Sequence, residues 1–140
     1  MEVVVPQLAW FGDGELKLEF PEEWDVNVQS MKGHGKGSVN EEEIVHALRN
    51  PIGTKPLSKL ARGEKEVVII FDDVTRPTKV YEVVPHVIDE LRKAGIEDDN
   101  IRFVCANGSH GVFHREDFVK KLGESVVESY PVFNLSLIHI

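Results

Sequence analysis

The spacing of hydrophobic positions changes part-way along the chain. Residues 3–11 are apolar and partly alternating, and Gly12-Asp13-Gly14 reads as a turn. Glu15-Leu16-Lys17-Leu18-Glu19-Phe20 then alternates strictly, with Leu16, Leu18 and Phe20 on one face, until Pro21 stops it. Residues 24–28 alternate again through Trp24, Val26 and Val28. These patterns predict a β-rich start, followed by a flexible loop at Gly33-His34-Gly35-Lys36-Gly37. Beyond it the period lengthens to that of a helix. Asn40 with Glu43 three residues on has capping-box spacing, and Glu41 to Glu43 suit the positive end of a helix dipole. A helix to about Arg49 is expected, with Ile44, Ala47 and Leu48 on one face and Asn50-Pro51-Ile52-Gly53 ending it.

The second half reads as βαβα. Val67-Val68-Ile69-Ile70-Phe71, within residues 66–71, is a continuous apolar run of the kind found in a parallel strand buried on both faces. Residues 77–94 predict a helix whose buried stripe is Val80, Val83, Val84, Val87, Ile88 and Leu91. Pro85 lies inside it and predicts a kink, and Gly95 suits its C-terminal cap. Residues 101–106 form the next strand, and residues 114–122 a short helix closed by Gly123. The expected fold class is α/β: a Rossmann-like parallel sheet with flanking helices, preceded by a β-rich segment.

Composition narrows the function classes. The chain has 140 residues, enough for one ordinary domain with a real core. It carries 24 acidic against 16 basic residues, a formal net charge of −8, which disfavours a nucleic-acid binder that must grip phosphates. No apolar run approaches the ~20 residues of a membrane helix. The start, Met1-Glu2-Val3-Val4-Val5-Pro6, lacks the basic region and cleavage site of a signal peptide, so a cytoplasmic protein is expected. Cys105, the single cysteine, leaves no internal disulfide or multi-cysteine metal site, and its mid-strand place suggests an inert thiol.

Ligands of open parallel sheets bind at the carboxyl ends of the strands. Two unusual loops fall there, Asp72-Asp73-Val74-Thr75-Arg76-Pro77 and Asn107-Gly108-Ser109-His110-Gly111. Strands joined by one crossover helix usually lie close together, so the loops should face each other across one crevice. Arg76 can grip a carboxylate or phosphate with two parallel hydrogen bonds. Thr75 and the N–H groups of a helix start suit an anion, and Asp73 can orient Arg76 or accept from sugar hydroxyls. The plain structural alternative makes Asp73 or Thr75 the helix cap, Pro77 its first residue and Arg76 a surface ion pair. His110, between glycines, is the side-chain type that exchanges protons near neutral pH. Alternatively it is a solvated turn residue. His110 and His114 have helical ligand spacing, but Gly111 between them and the missing glutamate argue against a metal pair.

Phe71-Asp72-Asp73-Val74-Thr75-Arg76-Pro77-Thr78, then Ala106-Asn107-Gly108-Ser109-His110, then Phe118-Val119-Lys120-Lys121-Leu122-Gly123 resemble the nickel-pincer-nucleotide lactate racemase family. Asn50-Pro51-Ile52-Gly53 followed by Pro56-Leu57 is similar too, and the resemblance runs from Met1 to about Asn134. It implies inversion of a 2-hydroxy acid by hydride transfer to and from a pyridinium nucleotide that carries nickel. By resemblance, His110 is one of two alternating acid/base histidines, and Arg76 holds the substrate carboxylate. Asp73, Thr75 and Arg76 match the cofactor-contacting motif. The resemblance places no metal ligand in this stretch. The second histidine, the tethering lysine and the nickel-binding histidine are expected in a C-terminal part of the same chain. Gly111 stands where lactate racemases commonly carry Arg, with Arg115 four residues on, which leaves room for a larger or more acidic 2-hydroxy acid.

Leu135-Ser136-Leu137-Ile138-His139-Ile140 reads as the translation of a transposon adapter used in sequencing libraries. The expected layout is therefore residues 1–134 as an incomplete N-terminal domain and 135–140 as adapter, with the fragment inactive alone. The competing reading is a stand-alone nucleotide- or anion-binding module without catalysis.

Overall fold

The computed structural model of the chain describes residues 1–7 and 14–136. They fall into two units, Met1–Ser38 and Val39–Ile140. In the first, β1 (Glu2–Gln7) and β2 (Gly14–Glu19) pair antiparallel, from Glu2↔Glu19 to Gln7↔Gly14. The Met1 ammonium donates to the Phe20 carbonyl, and the Phe20 N–H donates to the Met1 carbonyl, both at 2.9 Å. The expected third strand at residues 24–28 is not formed. Trp24 instead closes a turn on the Pro21 carbonyl at 3.2 Å and leans on Phe20, ring centroids 6.2 Å apart. Alternation marks one face of a chain but supplies no strand to pair with. The apolar residues 8–11 and the turn residues Gly12 and Asp13 lie outside the described residues.

The second unit begins with α1 (Glu41–Arg49). Asn40 caps it as the spacing predicts: its side chain accepts from the Glu43 N–H at 2.9 Å, and Glu43 accepts from the Asn40 N–H at 2.8 Å. Ile44 and Leu48 are half-buried, while Ala47, expected beside them, is exposed. A short helix not foreseen, α2 (Leu57–Leu60), follows. Both pack on α3 (Val80–Ala94), and the buried carboxylate of Glu90 joins them. It pairs with Lys93 at 2.6 Å and with Arg49 at 3.1 Å. The Lys93 hydrogen bond outweighs burial and, with help from Arg49 and Ser58, holds the Glu90 carboxyl below its ordinary range.

The sheet is parallel, in the order β3 (Val67–Asp72), β4 (Ile101–Gly108), β5 (Val132–Ser136). α3 links the first pair; α4 (Arg115–Leu122) and α5 (Glu124–Ser129) link the second. Two right-handed crossovers stepping in one direction carry their helices to the same face. Burial follows that rule. Phe71, Ile101, Phe103 and Cys105 are buried against Val84, Ile88, Leu91, Phe118, Leu122 and Val126. The rings of Phe103 and Tyr130 lie 5.6 Å apart and those of Phe71 and Phe118 6.1 Å apart, both edge-on. Such pairs add to plain area burial. The other face is open: Ile70 is 67% exposed, and Val68 and Phe133 are each 51% exposed. The reading of β3 as buried on both sides is thereby corrected, because within this unit helices cover one side alone.

Three further boundaries differ from expectation. α3 starts at Val80 instead of residue 77, and it runs through Pro85 to Gly95, whose φ of 93° is the left-handed cap a glycine adopts easily. Val83 turns outward, at 38% exposure. β5 and α5 were not foreseen. β5 includes Leu135, paired with Ala106, and Ser136, paired with Gly108; residues 137–140 of the adapter-like segment lie outside the described residues.

The one-sided core predicts unequal costs along the same sheet. Phe103→Ala should destabilise the chain by about 3–5 kcal/mol. Ile70→Ala should change stability by only about 0.5 kcal/mol. Urea unfolding of the two variants checks this, and equal losses would mean that both faces are packed.

Candidate functional site

β3 and β4 pair in register up to the end of β3, with Phe71 opposite Cys105 and Asp72 opposite Ala106, and β4 runs two residues further to Gly108. Their two following loops leave the same end of the sheet from adjacent strands. The first loop turns immediately, the Arg76 N–H donating to the Asp73 carbonyl at 3.1 Å. Gly108, at φ 61°, turns the second, and the His110 N–H donates to the Asn107 carbonyl at 3.0 Å. A left-handed residue at a strand end favours glycine.

Asp73 joins the loops. It is only 6% exposed. Its Oδ1 accepts from the Thr75 N–H at 2.7 Å and from the Thr75 hydroxyl at 2.5 Å. Its Oδ2 lies 3.2 Å from Nδ1 of His110. Burial pushes the Asp73 carboxyl upward, but the two Thr75 hydrogen bonds outweigh it, with help from the charges of His110 and Arg76. The group ends below the ordinary carboxylate range. The Asp73 carboxylate faces Nδ1 of the ring, and Nε2 lies on the ring's other side. His110 keeps 44% side-chain exposure, so that atom has room to meet a ligand.

The expected site residues thus come together, with different neighbours from those foreseen. Asp73 orients Thr75 and His110, and it does not cap α3. Arg76 is exposed, and among the described residues its guanidinium makes no ion pair. His114 stands apart from His110, its N–H donating to Asp117 at the start of α4. Burial, with Asp73 and Asp72 nearby, pushes the Cys105 thiol up to about 11, consistent with an inert core residue.

Three supporting residues escaped the sequence reading. Lys121, 4% exposed, donates to the Arg76 carbonyl at 3.0 Å and pairs with Asp72 at 3.0 Å. Its signal was present: Phe118, Lys121 and Leu122 share one face of α4, so a lysine sits on the apolar stripe. Asn107 and Asn134 are the other two. Asn107 donates to the Gly111 carbonyl at 2.9 Å and to Asn134 at 2.7 Å. Asn134 accepts from the Phe113 N–H at 3.1 Å and donates to the Phe113 carbonyl at 3.0 Å. The His110 loop is thereby held from beneath by β5, which no local pattern announces.

Residues 11–137 match the family described as the lactate racemase N-terminal domain. The chain belongs to this family. It is 37% identical over 121 residues to the lactate racemase of Thermoanaerobacterium thermosaccharolyticum, a match covering 85% of this chain and 28% of that protein. It is also 37% identical over 101 residues to the lactate racemase of Lactiplantibacillus plantarum, covering 72% and 23% respectively. The solved lactate racemase apoprotein from Thermoanaerobacterium thermosaccharolyticum superposes with a TM-score of 0.65 at 32% identity, over 96% of this chain and 30% of that one. The chain therefore spans under a third of the length of these relatives, and its α/β architecture agrees with theirs.

The hydrogen bonds at Asp73 carry a pH signature. A carboxyl lowered on folding stabilises the native state above its unfolded pKa of about 3.9, and that contribution disappears as pH falls through the lower native value. Thr75→Val removes the hydroxyl donor and should move the Asp73 titration upward, read by carboxyl carbon NMR. An unmoved titration would mean that Thr75 does not hold Asp73.

Proposed function

We propose that the chain is the N-terminal part of a 2-hydroxyacid racemase or epimerase. In this reading His110 serves as one acid/base and Arg76 holds the substrate carboxylate. The observation that carries the reading is the Asp73–His110 contact beside the exposed Arg76, in a chain whose relatives are lactate racemases. In this reading an anion grip and a proton-exchanging atom stand on adjacent loops, and such prior alignment is a large part of catalysis. The cytoplasm is the compartment expected for it, and no helix among the described residues is long and apolar enough to cross a membrane.

The residues present fit one side of a nickel-pincer nucleotide. Among the described residues no three His, Cys, Asp or Glu side chains converge as a metal cage. The donor set here suits an anionic group at Arg76, whose guanidinium is free of ion pairs among the described residues; Thr75 has both its donors on Asp73 and would accept from a sugar hydroxyl instead. When bound, that nucleotide supplies reversible acceptance of a hydride from the substrate carbon. The chain's own part is positioning and proton movement. Arg76 receives the carboxylate in a two-pronged grip. His110 Nε2 takes the hydroxyl proton and later returns it. Asp73 keeps the ring oriented and stabilises its protonated form. Gly111 leaves the position beside His110 without a side chain, in keeping with a substrate bulkier or more acidic than lactate.

In the longer protein, His110→Ala should lower racemisation of a 2-hydroxy acid by about 10²–10⁴-fold with the fold intact by circular dichroism. Near-normal turnover would remove His110 from the chemistry. Arg76→Lys should raise KM about tenfold or more, since lysine lacks the flat fork; an unchanged KM would make Arg76 a surface residue. We also assign residues 1–134 to the enzyme and 135–140 to translated adapter. Resequencing past the codon for Asn134 should give a continuing frame, and a natural stop after residue 140 would favour a stand-alone binding module.

A further inference from the structure

We infer that Lys121 is a positioning residue that fixes the main chain of Arg76 and so aims its guanidinium. Arg76 is pinned at both ends. Its N–H donates to the Asp73 carbonyl at 3.1 Å, and its carbonyl accepts from the Lys121 ammonium at 3.0 Å. The residue that follows is Pro77, which already confines Arg76 to extended backbone. Pro77 also has no N–H of its own to anchor the turn. The side chain beyond this fixed backbone is exposed and free of ion pairs among the described residues.

Lys121 suits the task by its burial. It is 4% exposed, and it reaches from α4 to the end of β3. There its second partner, Asp72, sits at 3.0 Å. A lysine is rarely buried unless paired, and a lone ion pair is weak evidence for stability. A packed apolar residue would hold α4 to the sheet as well. What an apolar residue would lack is the donor to the Arg76 carbonyl. Lys121 holds that carbonyl on the loop ahead of α3, which begins at Val80.

The consequence for substrate rests on Arg76 as the carboxylate grip, whereas the backbone role does not. The test therefore reads both. Lys121→Met with Asp72→Asn removes the pair together and leaves no lone charge. Amide hydrogen exchange is followed by NMR on the 140-residue chain, and L-lactate is titrated against the Arg76 amide signal. Exchange at Thr75 and Arg76 should rise about tenfold or more, with the Phe103 amide unchanged. Lactate affinity should fall about tenfold. Unchanged exchange at Arg76 overturns the role. So does faster exchange throughout, Phe103 included, because Lys121 would then serve stability alone. Local loosening at Arg76 with lactate binding unchanged supports the backbone role and removes Arg76 as the carboxylate grip. Should the double variant not fold, Lys121→Arg, which keeps the charge and alters the reach, carries the same exchange readout.

Discussion

The in-register parallel pairing of β3 with β4 is the constraint from which the site follows. Parallel ladders hold neighbouring strands at one level, so a register that ends with Asp72 opposite Ala106 delivers two loops to one place. A slip of one residue in either strand would turn its ring, Phe71 or Phe103, out of the core and carry Asp73 away from His110. The register that buries the aromatic rings is therefore the one that joins the carboxylate to the imidazole. Core packing and site geometry are set by one choice.

Above that pairing, polar side chains do what backbone ladders cannot. Loops past a strand end have lost their ladder partners, and buried backbone groups need others. Lys121 serves the Arg76 carbonyl, and Asn107 with Asn134 serves the loop that carries His110. Both asparagines sit on the covered side of the sheet, where the rows of Phe103 and Cys105 and of Val132 end. The apolar core thus gives way to a polar seat beneath the loop that carries His110.

Local signals in the sequence were sound where a single segment determined the outcome. The Asn40 capping box, the Gly95 and Gly123 stops and the strands around Ile69 and Phe103 are all present. The loops at the strand ends were legible for the same reason. What failed depended on distant partners. Residues 24–28 have the alternation of a strand and no neighbour to pair with. The run around Ile69 looks buried on both sides because its composition is, yet coverage is a property of the surrounding elements. Pro77 suits the first position of a helix, yet α3 begins at Val80, and the hydrogen bond from Lys121 to the Arg76 carbonyl, 45 residues away, could not be read locally. Asp73 was legible as a carboxylate at a strand end; its contact with His110 was not.

The seat beneath His110 has a consequence in time. Asn134 lies 27 residues after Asn107 in the chain. A polypeptide emerging in order from the ribosome makes β3, β4 and the loop of His110 well before it makes the strand that steadies that loop. The hydrophobic pairs that define the sheet can gather early, but the polar groups around the histidine must wait for the last strand. The setting of His110 is thus among the final features of this unit to mature, and in a nascent chain its loop stays unsupported until the last strand closes beneath it.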